Sequence, residues 1–388
     1  MTLNSTRSTR STRLNQILNS QRLNKMIIYL GSYTDEAHPN GLKVLNLDAT
    51  TGNLSVLSEL PVSNALYQAL SPDGRYLYSC TGNGLASFRI APLNAQPSTL
   101  NPQPPTLTPL DALNLDAKSV CHVVATPDRV LFAEYLDGFG GSVQMKEGRF
   151  GAVTKHQHTG SGPNLLRQST AHCHQACLLP NGGYVLVDLG LDELVSYPPH
   201  PSPLTSTRST RSTRLKILTP QHVFKTSPAG AGPRHLLFHP NGHLAFLVSE
   251  LGNLISTLRW DAETGFHLLD TRSTLPLGDT GRGPNGDLAA AIRLTPDLKQ
   301  IVVSNRGENS LVSFDFDETT GRLAFKGRTL LPGSWPRDFI FVTETLALAA
   351  MERSGEVHTL HYETSTGKFE VISTLGNLFR PVALTVAP

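Results

Sequence analysis

The 388-residue chain contains no run of about 18 apolar residues, so no membrane-spanning helix is expected from it. Cysteine is scarce: Cys80, Cys121, Cys173 and Cys177 are the only four. None forms a CxxC pair, which excludes a dense disulfide framework and points to a reducing, cytoplasmic setting. Charged residues make up only 16%, below the usual share for globular domains of about 25%. "GRGPNG" (281–286) has the GxGxxG spacing but does not open an expected helix, so no phosphate-cradling loop is predicted. Long amphipathic runs are few, whereas glycine (32) and proline (27) are plentiful. That balance favours a turn-rich, all-β architecture.

The formal net charge of +2 conceals an uneven distribution. Residues 1–25 hold Arg7, Arg10, Arg13, Arg22 and Lys25 without an acid, and "TSTRSTRSTR" (205–214) adds three arginines. Without these eight, 25 basic side chains face 31 acidic ones. The remaining body is mildly acidic, so nucleic acid is not an expected partner. "STRSTRSTRL" occurs at both 5–14 and 206–215. The first copy has the composition of a transit peptide, but a targeting signal has no reason to recur mid-chain. "LNAQPSTLNPQPPTLTPL" (93–110) is a third biased segment, too rich in proline for a strand. Residues 1–25 are therefore expected to form a disordered tail, with surface loops near 93–110 and 205–215. A single folded domain is expected over 26–388.

What the body does contain is a repeat. "LSPDGRYLYS", "ATPDRVLFAE", "LLPNGGYVLV", "FHPNGHLAFLVS" and "LTPDLKQIVVS" place Pro72, Pro127, Pro180, Pro240 and Pro296 in equivalent turns. "SWPRDFIFVTETLALAA" offers Thr343 in the matching place, and Pro388 ends the chain. The spacings are 55, 53, 60, 56, 47 and 45 residues, the 55 and 60 containing the biased insertions. Each unit has an apolar strand, a turn whose Gly, Asn or Asp tolerates positive φ, a second apolar strand, then weaker strands. Units of this length bury their faces only by stacking, and radial stacking gives a β-propeller. The last unit holds only its first strand, "PVALTVA". The N-terminal "MIIYLGSYT", "GLKVLNLDA" and "GNLSVLSEL" supply the missing three and remove an exposed edge. A seven-bladed β-propeller closed in this way is the predicted fold, with six or eight blades as the alternatives.

The repeat is also a ruler. Six residues before each turn proline, or its equivalent, lie Leu66, Cys121, His174, Arg234, Ala290, Arg337 and Val382. Ten after lie Glu250 in the fourth unit and Arg306 in the fifth; Asp188 sits eight after Pro180. Positions −6 and +10 meet across the open end of a hairpin whose first strand lines the channel. His174, Arg234, Glu250 and Arg306 should then cluster at the channel mouth. Ordinary solvation of strand ends is the competing explanation, and Arg306 could be merely a turn-flanking charge. Strand alternation turns His235 away from Arg234 and makes it a structural residue between blades. In "AHCHQAC" the same alternation puts His172 and His174 on one face and Cys173 and Cys177 on the other. No metal site is expected there, and the two cysteines read as core residues.

"YLGSYT", "HCHQACLLPNG", "VDLGLDEL", "GPRHLLFHPNGHLAFLVSELGN", "VVSNRGENSLVSF" and "WPRDF" resemble the lactonase family with a seven-bladed β-propeller. That family includes one type of 6-phosphogluconolactonase and fungal carboxy-cis,cis-muconate cyclase. The resemblance spans about 26–388 and implies active groups at His174, Arg234, Glu250 and Arg306. One departure is Ala291, where family members often carry Asp or Glu that could orient an arginine or the substrate. The implied activity is hydrolysis of an anionic lactone, most simply 6-phosphogluconolactone of the pentose phosphate pathway. Glu250 or His174 would serve as base, with Arg234 and Arg306 on the oxyanion and Arg337 and Asp188 as substrate contacts. This chemistry requires no cofactor or metal. Two other readings stay open: a lactonising cycloisomerase acting on a muconate-type diacid, and a non-catalytic interaction propeller. No Trp-Asp repeat signature supports the last, the only tryptophans being Trp260 and Trp335. The oligomeric state is left open.

Overall fold

The computed structural model describes residues 25–91, 106–200, 218–276 and 286–387. These residues form twenty-eight strands in seven four-stranded antiparallel sheets. Among them no helix is long and apolar enough to cross a membrane. The low-complexity stretches 1–24, 93–105 and 205–215 lie outside the described residues.

Each sheet is one blade, and the blades run in chain order. The strands lining the channel are Gln68–Leu70, Val120–Ala125, Cys173–Leu178, Pro233–Phe238, Leu288–Leu294 and Pro336–Phe341 for blades 1 to 6. Pro381–Val386 lines it in blade 7. Each touches the next and the last returns to the first, which closes the ring. Blade 7 takes one strand from the C-terminus and three from the N-terminus, as the sequence predicts. Ile28 pairs with Val386, Tyr29 with Thr385 and Leu30 with Leu384. A Cβ on Gly31 would lie 2.0 Å from the Ala65 carbonyl oxygen. Blades 7 and 1 therefore meet backbone to backbone at the seam.

The apolar pattern follows from radial position. The second strand of each blade is covered on both faces, so Leu244–Ser249 and Leu346–Met351 are buried throughout. Strands sandwiched in this way read as continuous apolar runs rather than alternating ones. The outermost strand Leu54–Leu60 is largely exposed. Between blades 4 and 5, Phe246, Val248 and Ile255 pack against Ile292, Val303 and Phe314. Full burial of each such side chain stabilises the fold by about 1.5–3 kcal/mol. In the turns, Gly74, Gly182 and Gly242 have φ of +68°, +83° and +74°. Leu298 occupies the equivalent place in blade 5 at +61°, a strained conformation for a residue with a Cβ.

One expectation needs correcting. The biased segment 93–110 is not loop to its end, because Leu107–Asn114 is a strand. It is the outer edge of blade 1, and Pro109 pairs with Phe88 where the register shifts. An edge strand with a bulge tolerates a residue that lacks a donor.

Candidate active site at the channel mouth

The ladder between the first two strands breaks at the same place in several blades. Cys173 pairs with Asp188 and Gln175 with Val187, which leaves His174 unpaired. Arg234 is passed over between Pro233 and His235, Arg337 between Pro336 and Asp338, and Cys121 between Val120 and His122. A bulge at the rim re-aims a side chain that regular pleating would direct elsewhere. Six of the seven −6 residues, Leu66, Cys121, His174, Arg234, Arg337 and Val382, line one cavity in the channel. The seventh, Ala290, contributes its carbonyl oxygen, to which Arg234 Nη1 donates at 2.8 Å.

The bulge also overturns the reading of His235. It lines the same cavity as Arg234, its ring 5.3 Å from that of His174 and 5.6 Å from that of His122. Simple alternation fails because the unpaired residue resets the phase of the strand.

Glu250 follows the second strand of blade 4 and is the hub. Arg234 Nε donates to its Oε2 at 3.1 Å, and Arg306 Nη2 approaches the same oxygen at 2.8 Å. Arg167 Nη2 donates to Oε1 at 2.6 Å. His174 Nε2 stands 4.0 Å from Oε2. All four predicted catalytic residues are thus together, and each is at most 5% exposed. Burial alone would raise the Glu250 carboxyl, but Arg306 and Arg234 outweigh it and hold the group well below the usual carboxylate range. Burial, then Arg234, drives His174 well below the usual imidazole range. The imidazole is neutral at pH 7, and its Nδ1 has no hydrogen-bond partner. Burial, then Arg306, lowers the Arg234 guanidinium to about 9, so it keeps its charge at neutral pH. Cys121 is pushed up to about 12 by burial, which makes it a poor nucleophile.

Blade 5 has no acid where Ala291 stands; that residue is fully buried in the core. Main-chain oxygens orient the arginines instead. Arg306 donates to Leu288 O at 3.3 Å and to Ala289 O at 3.0 Å.

Asp188 is not brought to the cavity. It pairs with Cys173 in the ladder, where Ser249 pairs with Pro233 in blade 4, one residue before the position Glu250 occupies. The carboxylate is fully buried and accepts from His172 N at 2.8 Å and Leu191 N at 3.1 Å. His158 Nδ1 lies 2.8 Å from its other oxygen. His158 and His172 bound the loop that carries Arg167, so Asp188 fastens both ends of that loop. Asp188, His158 and Cys173 bring three donor atoms within 4.8 Å of one another. These atoms already contact one another: His158 Nδ1 lies 2.8 Å from Asp188 Oδ2, and Cys173 Sγ lies 3.4 Å from that nitrogen and 3.6 Å from that oxygen.

The ruler misses Arg167, which no repeat position marks because it sits in an inter-blade loop. It also misses Glu352, the counterpart of Glu250 in blade 6, which accepts from Arg337 Nη1 at 3.2 Å. Arg337, the predicted substrate contact, does face the cavity.

The channel histidines set a pH limit on stability. Burial lowers His122 from 6.5 to about 3. The unfolded chain therefore binds a proton that the folded protein resists, and stability falls as pH drops from about 6.5 towards about 3. Thermal melts at pH 7.5 and pH 5 should show a lower Tm at pH 5. The drop should shrink in His122→Gln; an equal drop in the variant would assign it to other groups.

Comparison with known proteins agrees with this architecture. The family described as "Lactonase, 7-bladed beta-propeller" matches residues 27–385. A 6-phosphogluconolactonase of Bacillus subtilis is 30% identical over 378 residues, covering 93% of this chain and 98% of its own. An uncharacterized Lactococcus lactis protein is 32% identical over 356 residues, covering 88% and 93%. Among solved structures, a Lactobacillus plantarum protein superposes with a TM-score of 0.79 at 26% identity, covering 94% of this chain and all of its own. The periplasmic gluconolactonase of Pseudomonas aeruginosa shares the fold, with a TM-score of 0.78 at 22% identity over 94% and 99%. By its matched length, its seven closed blades and its relatives, the chain belongs to the lactonase family of seven-bladed β-propellers.

Proposed function

We propose that the protein hydrolyses an anionic sugar lactone, with 6-phosphogluconolactone as the substrate. The observation that carries this reading is the buried clamp of Arg234 and Arg306 on Glu250 beside a neutral His174. Two guanidinium groups at one point suit the negative charge that develops on a carbonyl oxygen under attack. A neutral imidazole with an unpartnered nitrogen suits removal of a proton from water. The Bacillus relative of that name adds support for the substrate.

The cavity beside His174 measures about 10 Å³, room for about one water. The lactone ring would sit above it at the mouth. Water attacks the lactone carbonyl carbon as His174 takes its proton. The carbonyl oxygen becomes an oxyanion held by Arg234 and Arg306. The ring C–O bond then breaks, His174 returns the proton to the departing alkoxide, and an open-chain carboxylic acid results. Glu250 accepts hydrogen bonds from its arginines and is held ionised, which fits it to aim the arginines rather than to act as base. Consumption of 6-phosphogluconolactone would give the protein a cytoplasmic role in the pentose phosphate pathway.

The test is acid release from freshly prepared 6-phosphogluconolactone, with spontaneous opening subtracted, alongside glucono-δ-lactone and a carboxymuconolactone. Turnover of the phosphorylated lactone above the spontaneous rate, lost in His174→Ala, is the expected result. Wild type no faster than buffer on it sinks the substrate assignment, and selective turnover of the muconolactone would favour a cycloisomerase.

A further inference from the structure

A second charged centre stands beside the clamp, between blades 6 and 7. Glu352 accepts from Arg337 Nη1 at 3.2 Å and from Arg380 Nη2 at 2.5 Å. The Arg380 guanidinium lies 4.0 Å from the centroid of the Tyr33 ring, with Arg337 at 5.4 Å from the same ring. Arg353 lies 3.3 Å from the centroid of the Trp335 indole. Arg306, bound to Glu250, is 5.6 Å from that indole. Arg353 and Arg380 are both exposed, and among the described residues Arg353 has no ion pair.

Two residues here adopt backbone conformations that side chains rarely take. Trp335 has φ of +72° and Arg380 of +41°, and for a residue as bulky as tryptophan this is an outlier. Such strain persists only where the surroundings over-determine it, and it concentrates at ligand sites. The surroundings are visible: Trp335 N donates to Asn309 Oδ1 at 2.8 Å, and Glu352 N donates to Trp335 O at 2.9 Å. Arg353 N donates to Ser334 O at 3.1 Å. These bonds hold the indole beneath Arg353.

Charge and geometry then select a ligand. Arg337 and Arg380 share the single carboxylate of Glu352, and Arg353, the next residue in the chain, has no ion pair among the described residues, an excess of two positive charges beyond those of the clamp. A guanidinium stacked on an aromatic ring keeps its in-plane N–H donors free for oxygens. A phosphate monoester carries about −1.5 to −2 at pH 7 and three acceptor oxygens, whereas a carboxylate carries only one charge. Arg306 touches both centres, so one extended ligand can reach from clamp to stacked arginines.

We propose that Arg353 and Arg380, seated on Trp335 and Tyr33 with Arg337 behind them, form the subsite for a terminal phosphate monoester of the lactone. The proposal rests on reading the neighbouring clamp as the site of lactone opening. The subsite makes the enzyme selective for phosphorylated over unphosphorylated lactones.

The experiment has a binding arm independent of catalysis. Calorimetry with 6-phosphogluconate and with gluconate compares wild type, Arg353→Gln, Arg380→Gln and the double variant, each checked for native circular dichroism. Wild type should prefer the phosphorylated acid by at least about tenfold, and the double variant should bring the ratio close to one. In the kinetic arm, kcat/KM for the phosphorylated lactone should fall at least about tenfold further than that for glucono-δ-lactone. A double variant that keeps the preference, or a wild type that shows none, overturns the proposal. If the preference is lost in the variant but wild type opens no lactone, the subsite stands and the hydrolase reading fails. If wild type opens both lactones with equal kcat/KM, the hydrolase reading stands and the subsite fails.

Discussion

Glu250→Gln is expected to destabilise the fold by about 3–5 kcal/mol and to lower lactone hydrolysis by about 10²–10³-fold. The carboxylate is 3% exposed and balances Arg234, Arg306 and Arg167. A neutral amide of the same shape leaves Arg234 and Arg306 in the channel without a counter-charge, and a buried uncompensated charge is among the most damaging single changes. The amide nitrogen would also point a donor at a donor. Urea unfolding at pH 7.5 measures the first effect, and rates on the folded variant the second. A variant as stable as wild type would mean that water already screens the arginines, and the buried clamp would not be the organising feature. In wild type the Glu250 carboxyl is held below its ordinary range, so its contribution is complete above about pH 4.5 and is lost as pH falls towards its folded pKa.

Arg234→Met separates chemistry from stability. Methionine keeps much of the stem volume, while Glu250 retains Arg306 and Arg167. Hydrolysis should fall about 10²–10³-fold because one of two oxyanion donors is gone. Stability should fall less than in Glu250→Gln, since the remaining carboxylate is still paired. In the double variant Arg234→Met/Glu250→Gln, removing both charges should recover part of the Glu250→Gln loss, with a coupling of about 0.5–3 kcal/mol. Strict additivity would show that the two groups do not depend on each other. The activity loss should coincide with a changed KM for anionic lactones, because the same guanidinium would also attract the substrate.

The ring closure and the −6 register were readable because both are properties of the repeat. Period, turn chemistry and the split seventh blade reside in local sequence, and the channel-lining strand begins at a fixed distance from its turn. What the repeat does not encode is the bulge. Simple alternation turns His235 the wrong way because it holds only while each residue has a ladder partner, and the strand passes over Arg234. The second strands lack a common length from the turn. Counting ten onward therefore finds Glu250 and Arg306 but reaches Arg353 instead of Glu352 in blade 6, and eight onward stops at Asp188 rather than Leu189 in blade 3. Arg167 belongs to no repeat position; it reaches Glu250 because Asp188 fastens His158 and His172 on either side of its loop. Long-range partners of this kind arise only once the blades stand side by side.

The most direct test of the account is a crystal structure of the protein with bound 6-phosphogluconate, the product of the proposed reaction. Its carboxylate should lie between Arg234, Arg306 and His174, and its phosphate against Arg353 and Arg380. Density instead in the larger cavity of about 360 Å³ between the turns at Pro72 and Pro127, with the channel mouth unchanged, would contradict it.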